Sequence, residues 1–572
     1  MHGRVGHEAE EVGVVVVQPN VRERTKLRAP AIQEEERARG GAVCDREDPP
    51  EMRRRCRGFT SQADTSSFHI KVSHLIHAHG RTAPAAKHSR NGGARTGHHF
   101  LIVAYGIQSH LNPCRVLAHR LAPLHGVDGS GPVLATISLP VFAHRCLFPS
   151  SGDVNNNKDA ATDGLVSYAP YSNGLDGGSM ARDREARARS RQATFESLSA
   201  VVAALAARGR PVTCVVCSMV LPAALDVARE HAIPLAVYWI QPATVLAAYY
   251  HYFHGHGDLV ASHAADPAFE VSLPGMPRPL RIRDFPSFLV DTTGSELAKL
   301  MNEAAREVFE RLGDHGCTKV LVNTFDELEP AALAAMKERL DVFAVGPVIG
   351  PSSSAEPRIH LFNHAGADEK RYMEWLGAEA ARSVVYVSFG SVWTYTEKQM
   401  EEIANGLRPC GRPYLLVVPN DGRQEDVSRS LDDVVLEGLG MVVEWCDQPK
   451  VLSHPSVGCF VTHCGWNSAL EAMSLGVPVV AAPSLFDQRT NAFLIEEEWA
   501  AGVRGERNSE GVFTREELAR CVELLMGHGP RAIEIRERVE ALKGMAREAA
   551  ASGGPAERSL RSFVMAAGSN IG

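Results

Sequence analysis

The sequence contains no long apolar run. No stretch approaches the roughly 20 apolar residues that a membrane-spanning helix needs, and the first residues, MHGRVGHEAEEVG, lack the apolar core of a secretory signal. The twelve cysteines are scattered over 572 residues, unlike the dense framework of a secreted disulfide scaffold. These absences predict a soluble protein of a reducing compartment. We expect a cytoplasmic location, with the plastid as the alternative.

Basic residues are not in excess either. The 60 lysines and arginines are opposed by 68 aspartates and glutamates, which gives a formal net charge of -8. Nucleic acids and anionic membranes select for basic surfaces that displace counterions, so we expect neither as a partner. The chain also contains no Asp-x-Asp pair. A metal ion bridging a diphosphate is therefore not expected.

The length of the chain predicts two domains, because 572 residues are too many for one hydrophobic core. The content of 44% hydrophobic residues is that of an ordinary globular protein. Residues 1–97 differ from the rest: RERTKLR, QEEERARGG and EMRRRCRG interleave charges with glycine and show almost no apolar periodicity. We interpret this extension as disordered or as an artefact of gene prediction. A transit peptide is disfavoured because the extension contains many acidic residues.

From His99 onward, apolar strands alternate with amphipathic helices. HFLIVAYG precedes PCRVLAHRLAPL, VTCVVCS precedes LPAALDVAREH, PLAVYWIQ precedes ATVLAAYYHYF, and KVLVNTFDEL precedes EPAALAAMKERL. This pattern predicts a parallel sheet covered by helices on both faces. We assign it to a first domain at residues 98–345.

A stretch rich in Pro, Ser and Gly, GPVIGPSSSAEPRIHLFNHAGADEK, predicts a linker at residues 346–370. The alternation then restarts with SVVYVSFGS and runs through YLLVVP, GCFVTH and VPVVAAP, which gives a second domain at 371–565 and a tail at 566–572. The predicted fold class is α/β, with two Rossmann-like, doubly wound domains in tandem. Ligands bind such sheets at the carboxyl ends of the strands, so function should lie in the cleft between the domains.

The segment THCGWNS joins an apolar strand to a helix that we expect to begin near Ser468. Gly465 permits close backbone approach, and the amides of Trp466, Asn467 and Ser468 would point outward from the start of the helix. Unpaired amides and the helix dipole both favour phosphate at such an end. His463, just before the turn, can add a hydrogen-bond donor, so the segment predicts a diphosphate site.

The block WCDQPKVLSHPSVGCFVTHCGWNSALEAMSLGVPVVAAPSLFDQ, residues 445–488, resembles over its full length the signature box of plant family-1 UDP-glycosyltransferases. The resemblance extends more loosely from about His99 to Val564 and includes FGS at 389–391. It implies the GT-B architecture and a metal-independent hexosyltransferase that uses UDP-glucose as a co-substrate, with no cofactor. UDP-glucose and a small-molecule acceptor are the expected partners, and the expected state is a monomer.

The resemblance also implies roles for single residues. Trp445 would stack on the uracil, Gln448 would lie beside the ribose, and Glu471 would accept hydrogen bonds from the ribose hydroxyls. Taken singly, a Trp before a turn is more often a core residue and a helical Glu is more often solvated. Their joint occurrence at the family spacing favours a donor site.

The end of the block supplies groups for the sugar. Asp487 and Gln488 follow a strand, in the family these positions contact the sugar, and a terminal glutamine resembles a preference for glucose. Ser391 would contact the phosphates from the opposite side. The predicted donor site comprises Ser391, Trp445, Cys446, Gln448, His463, Gly465, Trp466, Asn467, Ser468, Glu471, Asp487 and Gln488.

A candidate base lies in YGIQSHLNP, which places His110 in the loop after the first strand. In the family a histidine in the matching loop is the general base, a task suited to an imidazole whose pKa is close to the operating pH. Many members pair it with an aspartate, but the matching position in CVVCSMVLPAALDVA is Ser218. Serine can accept a hydrogen bond and carries no charge. Asp226 is the nearest carboxylate in sequence, and we expect it to be solvated on the following helix.

The segments WIQPATV, RDFPSFL at 283–289 and VNTFDELEP at 322–330 resemble the branch of anthocyanin 5-O-glucosyltransferases and auxin or carboxylate glucosyltransferases. That branch is similar in carrying a hydroxyl residue at the position of Ser218. A carboxylate acceptor is already ionised at neutral pH and needs little help from a base. The implied acceptor is a flavonoid, an anthocyanin, an auxin or another acid.

The expected reaction is direct displacement at the anomeric carbon with inversion. The acceptor pocket should be built near Gln108, Tyr171 and Gln241 and from YYHYF at 249–253, a stretch equally consistent with a helix core. Two other functions stay open on the sequence alone. One is a non-catalytic nucleotide-sugar-binding protein, motivated by Ser218, and the other is a nucleotide-sugar epimerase of similar fold.

Overall fold

The computed structural model describes residues 97–568, apart from 125–130, 150–160, 179–180, 182, 220, 277, 314–317, 349–366, 391–395 and 419–438. The predictions for the extension up to residue 96, for Ser391, and for most of the linker lie outside the described residues. We call residues 97–348 the first half and residues 367–568 the second half.

The strands, in chain order, are β1 (His99–Val103), β2 (Leu134–Ser138), β3 (Thr162–Asp163), β4 (Val166–Tyr168), β5 (Cys214–Ser218), β6 (Leu235–Trp239), β7 (Glu270–Val271), β8 (Leu280–Arg281), β9 (Lys319–Val322), β10 (Asp341–Ala344), β11 (Val384–Ser388), β12 (Tyr414–Val417), β13 (Gly440–Val443), β14 (Val457–Thr462), β15 (Val479–Ala481) and β16 (Gly502–Arg504).

The α-helices are α1 (Gln108–Leu121), α2 (Val141–Leu147), α3 (Arg184–Ala207), α4 (Pro222–Glu230), α5 (Ala243–His251), α6 (Gly257–Ser262), α7 (Glu296–Phe309), α8 (Pro330–Lys337), α9 (Ala367–Ala378), α10 (Glu397–Leu407), α11 (Gln448–Leu452), α12 (Trp466–Leu475), α13 (Gln488–Phe493), α14 (Arg515–Met526), α15 (Pro530–Ala549) and α16 (Pro555–Gly568). Short 3₁₀ turns occupy Ile282–Asp284 and Ser287–Val290, and π-helical turns occupy Tyr252–His256 and Leu494–Glu498.

The first sheet has eight strands among the described residues, in the order β10-β9-β6-β5-β1-β2-β4-β3. The strand pairs are parallel except β3 with β4. β1 (HFLIV) and β5 (CVVCS) are buried along their whole length, as expected for central strands covered by helices on both faces. The predicted parallel α/β sheet is confirmed in this half.

The second sheet has six parallel strands within the described residues, in the order β13-β12-β11-β14-β15-β16. α9 begins at Ala367, so the last four residues of the predicted linker are helical. Tyr372 and Leu376, one turn apart on α9, are fully buried in the core that includes β11 and β14. This apolar pair explains why the chain is already helical before residue 371.

The last helix packs on the first half. On α16 the ring of Phe563 lies 5.4 Å from Phe100 on β1 and 5.5 Å from Phe343 on β10, measured between centroids. Leu560 and Val564 are buried in the same cluster. The helix runs to Gly568, so it passes the predicted start of the tail at residue 566.

Specific hydrogen bonds join the two halves near the start of α12. The indole N–H of Trp466 donates to the carbonyl of Asn323 at 2.8 Å, just after β9. Farther along, the backbone of Ser287 and that of Phe486 are joined by a 2.9 Å hydrogen bond, and the Ser287 hydroxyl accepts from Phe486 N–H at 2.8 Å. The segment after β9 is therefore held against the start of α12, and the 3₁₀ turn Ser287–Val290 is held against the segment after β15.

Candidate active site

His110 lies in the first turn of α1, and not in a loop as the sequence predicts. The helix begins at Gln108, and the N–H groups of His110 and Leu111 both donate to the carbonyl of Ile107, at 3.1 and 3.0 Å. Pro113, the sixth residue of the helix, does not prevent this, although its missing N–H removes the intrahelical hydrogen bond to the carbonyl of Ser109. Helical backbone fixes the direction of the imidazole more tightly than a loop would.

The imidazole faces Ser218 at the end of β5. His110 Nδ1 lies 3.1 Å from Ser218 Oγ, and the ring packs edge-on against Tyr105 with centroids 5.1 Å apart. Burial lowers the pKa of His110 to about 4, so the ring is neutral at pH 7. Ser218 is fully buried and also hydrogen-bonds the Cys114 thiol, one turn further along α1. The predicted pair is in contact, and the contact is between neutral groups.

Asp226 cannot serve His110, because its carboxylate is used elsewhere. It accepts from Arg191 Nη2 at 2.6 Å and from Arg311 Nη1 at 3.4 Å, and its side chain is 24% exposed. Arg191 also pairs with Glu307 at 2.6 Å. The expectation that Asp226 is simply solvated is therefore too weak, since it belongs to an ion network that ties α3, α4 and α7 together.

The predicted phosphate site lies between β14 and α12. Cys464 has a positive φ of 63°, Gly465 is the N-cap residue, and no side chain caps this end of the helix. The helix begins at Trp466, two residues earlier than predicted. The N–H groups of Trp466, Asn467 and Ser468 therefore occupy the first turn, where backbone donors lack intrahelical partners. This end can receive a phosphate.

The imidazole of His463 is approached closely by two glycines. A Cβ atom on Gly465 would lie 2.6 Å from His463 Nε2, and one on Gly390 would lie 2.8 Å from His463 Cε1. Gly390 also has a φ of +80°, which disfavours any other residue. Burial lowers the pKa of His463 to about 4, so the ring is neutral and offers a single N–H. The two glycines fix the ring beside the start of α12.

Hydrogen bonds link the residues on the nucleoside side of the site to one another. Gln448 Nε2 donates to Glu471 Oε2 at 2.8 Å and to Ser468 Oγ at 3.1 Å, and Trp445 is partly exposed nearby in sequence. The Cys446 thiol is buried and lies 3.2 Å from the hydroxyl of Tyr386, a residue that sequence reasoning missed. Because this thiol is turned into the core, Cys446 can offer a ligand only its backbone.

The sugar end of the predicted site is buried. Asn491 Nδ2 donates to Asp487 Oδ2 at 2.7 Å, and burial raises the pKa of Asp487 to about 6. The amide oxygen of Gln488 accepts from the N–H groups of Ser484 and Leu485, at 2.9 and 3.0 Å. Since both partners are donors, the orientation of the Gln488 amide is fixed, and its NH₂ group takes no part in these two hydrogen bonds.

The predicted acceptor residues have different surroundings. Gln108 begins α1 and donates to Asn112 Oδ1 at 2.6 Å, while Gln241 has a buried amide oxygen that is unpaired within the described residues. Tyr171 is only 2% exposed, and its hydroxyl donates to the carbonyl of Ala104 at 3.2 Å. The structure places Tyr171 in the core, next to the end of β1.

The aromatic stretch 249–253 is mostly packing. The ring of Tyr249 contacts Trp239 and Phe309 at centroid distances of 5.7 and 5.6 Å. Tyr249 also lies close enough to Asp487 for that charge to add to the effect of burial in raising the pKa of the phenol. It is therefore the member of the stretch that reaches toward the cleft.

Metal ligands and membrane helices are also not evident in the part of the chain that the structure covers. No group of three or more His, Cys, Asp or Glu side chains there is arranged to hold a metal ion. Cys214 and Cys217, the CxxC pair, are buried on β5, and no disulfide joins any of the cysteines that are described. None of the described helices is long and apolar enough to cross a membrane.

Comparison with known proteins identifies the family. The family described as UDP-glucoronosyl and UDP-glucosyl transferase matches residues 363–528. Phloretin 4'-O-glucosyltransferase from Malus domestica is 39% identical over 490 residues, covering 82% of this chain and 97% of the relative. Anthocyanidin 3-O-glucoside 5-O-glucosyltransferase from Verbena hybrida is 37% identical over 478 residues, covering 82% of this chain and 98% of the relative. The chain belongs to the plant family-1 UDP-glycosyltransferases.

The fold of this UDP-glycosyltransferase agrees with solved structures. Os79 from O. sativa in complex with UDP matches with a TM-score of 0.66 and 28% identity, covering 82% of this chain and 100% of that chain. The predicted GT-B fold class, the family and the glycosyltransferase activity are thereby confirmed.

Sequence reasoning missed two supporting residues of the UDP-glycosyltransferase. Glu329 is a buried carboxylate that accepts from the N–H of Ala243 at 2.9 Å and from the N–H and hydroxyl of Thr244 at 2.9 and 2.8 Å. It therefore caps α5, directly after Gln241. Asn323 supplies the carbonyl that receives Trp466. Both lie in the motif VNTFDELEP. The acidic residues of that motif were the signal that the sequence offered.

Proposed function

We propose that this UDP-glycosyltransferase transfers glucose from UDP-glucose to a hydroxyl or carboxylate of a small plant metabolite, with inversion at the anomeric carbon. One observation supports this most. The turn that carries His110 and the start of α12 are in direct contact, since Asn467 Nδ2 donates to the carbonyl of Ser109 at 2.8 Å. A base on one half therefore lies beside a phosphate-binding helix end on the other, as transfer from a nucleoside diphosphate sugar requires.

In this proposal the donor lies along the carboxyl ends of β11, β14 and β15. Trp445 stacks on the uracil, and the ribose hydroxyls donate to Glu471, which Gln448 already holds in place. The diphosphate binds the N–H groups at the start of α12 and the ring N–H of His463. Asp487 accepts from sugar hydroxyls, and the NH₂ group of Gln488 donates to one.

The chemistry follows from the protonation states. With a proton on Nδ1, the ring donates to Ser218 Oγ, which leaves the Nε2 lone pair free to accept the proton of the acceptor hydroxyl. The acceptor oxygen forms the bond to the anomeric carbon while the bond from that carbon to the β-phosphate oxygen breaks. UDP leaves with the electron pair, and its new charge lies at the positive end of α12.

The acceptor is proposed to be a phenolic compound or an acid. The relatives named above are glucosyltransferases of phloretin and of anthocyanidin 3-O-glucoside, both phenolic acceptors by name. The neutral Ser218 partner favours acids as well, because a carboxylate is already ionised at pH 7 and needs no base.

Mass spectrometry of products tests the proposal. The enzyme is incubated with UDP-glucose and a panel of phloretin, an anthocyanidin 3-O-glucoside, auxins and phenolic acids. We expect a glucosylated product and release of UDP. Binding of UDP-glucose without release of UDP for any acceptor would indicate a nucleotide-sugar-binding protein instead. Conversion of the sugar nucleotide in the absence of an acceptor would indicate an epimerase.

The His110→Ala variant tests the base. A general base contributes about 10²- to 10⁴-fold to the rate, so transfer to a phenol should fall by at least about 100-fold while the Kd for UDP stays unchanged. His528→Ala is the matched control, because His528 is exposed and lies between α14 and α15. A His110→Ala enzyme that glucosylates phenols at the parent rate would remove His110 from the mechanism.

A further inference from the structure

Pro113 leaves a backbone acceptor free in the turn that carries His110. In a regular α-helix the carbonyl of Ser109 receives the N–H of the residue four positions later. That residue is Pro113, which has no N–H. A backbone carbonyl this close to the core needs another partner.

The partner comes from the other half of the molecule. Asn467 Nδ2 donates to the carbonyl of Ser109 at 2.8 Å, between residues 358 positions apart in the chain. Because a carbonyl can only accept, the Asn467 amide must turn its NH₂ group toward Ser109. The side chain is then directed at the His110 turn, while the main-chain N–H of the same residue stays in the first turn of α12.

We infer that the Asn467 side chain is a positioning residue for the base: its hydrogen bond to Ser109 sets the place of His110 relative to the diphosphate site. The inference rests on the proposed function, since it assigns a role toward the proposed base. Asn467 then has two separate roles. The backbone N–H of Asn467 serves the donor, and the side chain serves the catalytic turn.

The geometry explains why the turn needs this support. The imidazole of His110 has only neutral contacts within hydrogen-bond or ring distance in the described residues, namely Ser218 Oγ at 3.1 Å and the Tyr105 ring. No ion pair anchors the ring there. A bond from Asn467 to the residue directly before His110 fixes the backbone instead, and a displacement of about 1 Å at a reacting group costs roughly 100-fold in rate.

The Asn467→Ala variant tests the inference, because it removes the side-chain donor and keeps the backbone N–H. We expect kcat with a phenol acceptor at saturating UDP-glucose to fall by about 10- to 100-fold. The Kd for UDP, measured by calorimetry, should stay within about threefold of the parent, because the backbone N–H that serves the donor is kept. A threefold change is less than 1 kcal/mol of binding free energy. Asn467→Ser, whose shorter side chain cannot span the gap, should behave in the same way and provides a second variant if the alanine protein folds poorly.

A double-mutant cycle with His110→Ala separates positioning from a general structural role. Once the base is gone, Asn467→Ala should cause no further loss of the residual transfer. Trp466→Phe is the comparison, because it removes the neighbouring bond between the halves, from Trp466 Nε1 to Asn323, without touching the His110 turn. Its effect should add to that of His110→Ala.

Three results would overturn the inference. They are an unchanged kcat in Asn467→Ala, a Kd for UDP that weakens by the same factor as kcat falls, and an equal loss caused by Asn467→Ala with and without His110. Failure of the proposed function looks different, since the parent protein itself would then release no UDP with any acceptor or would convert the sugar nucleotide without one.

Discussion

His110 and Ser218 meet as two neutral groups at pH 7, because burial lowers the pKa of His110 to about 4. A neutral imidazole keeps its lone pair free for the acceptor proton, but Ser218 offers no negative charge to the imidazolium that forms. The Ser218 hydroxyl is also shared with the Cys114 thiol, whose pKa burial raises to about 12. The low proton affinity of the His110 ring therefore limits this pair as a general base.

Replacing Ser218 by Asp should raise that proton affinity. A carboxylate beside the ring favours the charged form and raises the pKa of His110. At pH 7 we expect kcat/KM for a phenol acceptor to rise by roughly tenfold, with no comparable gain for a carboxylate acceptor. The protonated ring is inactive as a base, so the acid limb of the phenol profile, near pH 4 in the parent through His110, should move to higher pH. Profiles of kcat/KM against pH for both acceptors measure this.

Ser218→Thr is the control for the aspartate variant, because it keeps a hydroxyl at the position and adds no charge. Its acid limb should coincide with that of the parent. An equal gain on phenol and carboxylate acceptors in Ser218→Asp would contradict the argument, since the carboxylate needs no deprotonation.

Asp487 should cost stability in the ligand-free enzyme. Burial raises its pKa to about 6 in the folded protein, above the value near 4 of an unfolded chain. The folded state then binds more protons between about pH 4 and pH 6, so the free energy of unfolding falls as the pH rises through this window. Asp487→Asn should raise the free energy of unfolding at pH 7.5 by at most about 3 kcal/mol, and with it the Tm, and should change both little at pH 4.

Thermal unfolding without ligand at the two pH values measures this effect. The same variant should raise the KM for UDP-glucose, because the amide cannot replace a carboxylate that accepts from sugar hydroxyls. A rise in Tm of equal size at both pH values would show that the stabilisation does not come from the charge.

At the scale of elements, the start of α12 depends on close approach. Gly465→Ala would place a Cβ atom 2.6 Å from His463 Nε2, at a ring edge that Gly390 also approaches closely. Overpacking of this kind costs about 1–3 kcal/mol, which corresponds to a loss of UDP affinity of roughly 5- to 150-fold. Calorimetric titration with UDP measures it.

Gly544→Ala is the matched control for that substitution. Gly544 lies in α15, and a Cβ atom there would meet nothing within 4 Å. Glycine in a helix interior costs about 0.5–1 kcal/mol relative to alanine, so this variant should be slightly more stable and bind UDP normally. Unchanged UDP affinity in Gly465→Ala would mean that His463 and the helix end are not part of the donor site.

The elements were predictable where one apolar pattern dominates, as in HFLIV, CVVCS and VGCFVT, which form β1, β5 and β14. The boundaries of helices were not. His110 was expected in the loop after β1, and α12 was expected to begin near Ser468, two residues later than it does. In both cases the first helical turn is held by partners from the other half of the chain. Such contacts leave no periodic signal in the sequence.

At the scale of the whole molecule, a buried carboxylate joins the halves. Asp284, in the 3₁₀ turn of the first half, is fully buried and accepts from Arg281 Nε at 2.6 Å and from Arg504 Nη1 at 2.5 Å, the latter on β16. Its backbone carbonyl accepts from Thr490 on α13 at 2.7 Å. The sequence shows RDFPSFL as a motif and places Arg281 three residues before its aspartate, but only the fold reveals the second arginine, Arg504, which is 220 residues away in the chain.

Asp284→Asn should therefore weaken both stability and donor binding. The amide keeps the volume and removes the charge that faces Arg504, while Arg281 keeps its second partner Glu497. Breaking a buried pair in this way costs about 3–5 kcal/mol. Thr490 and Gln488 lie on the same helix, α13. Loosening the contact between Asp284 and Thr490 should therefore disturb Gln488 and raise the KM for UDP-glucose. Tm and donor kinetics measure the two effects. Glu510→Ala, which breaks the exposed pair with Lys398, should change neither. An Asp284→Asn enzyme with the parent Tm would mean that the charge of Asp284 does not help to hold the halves together.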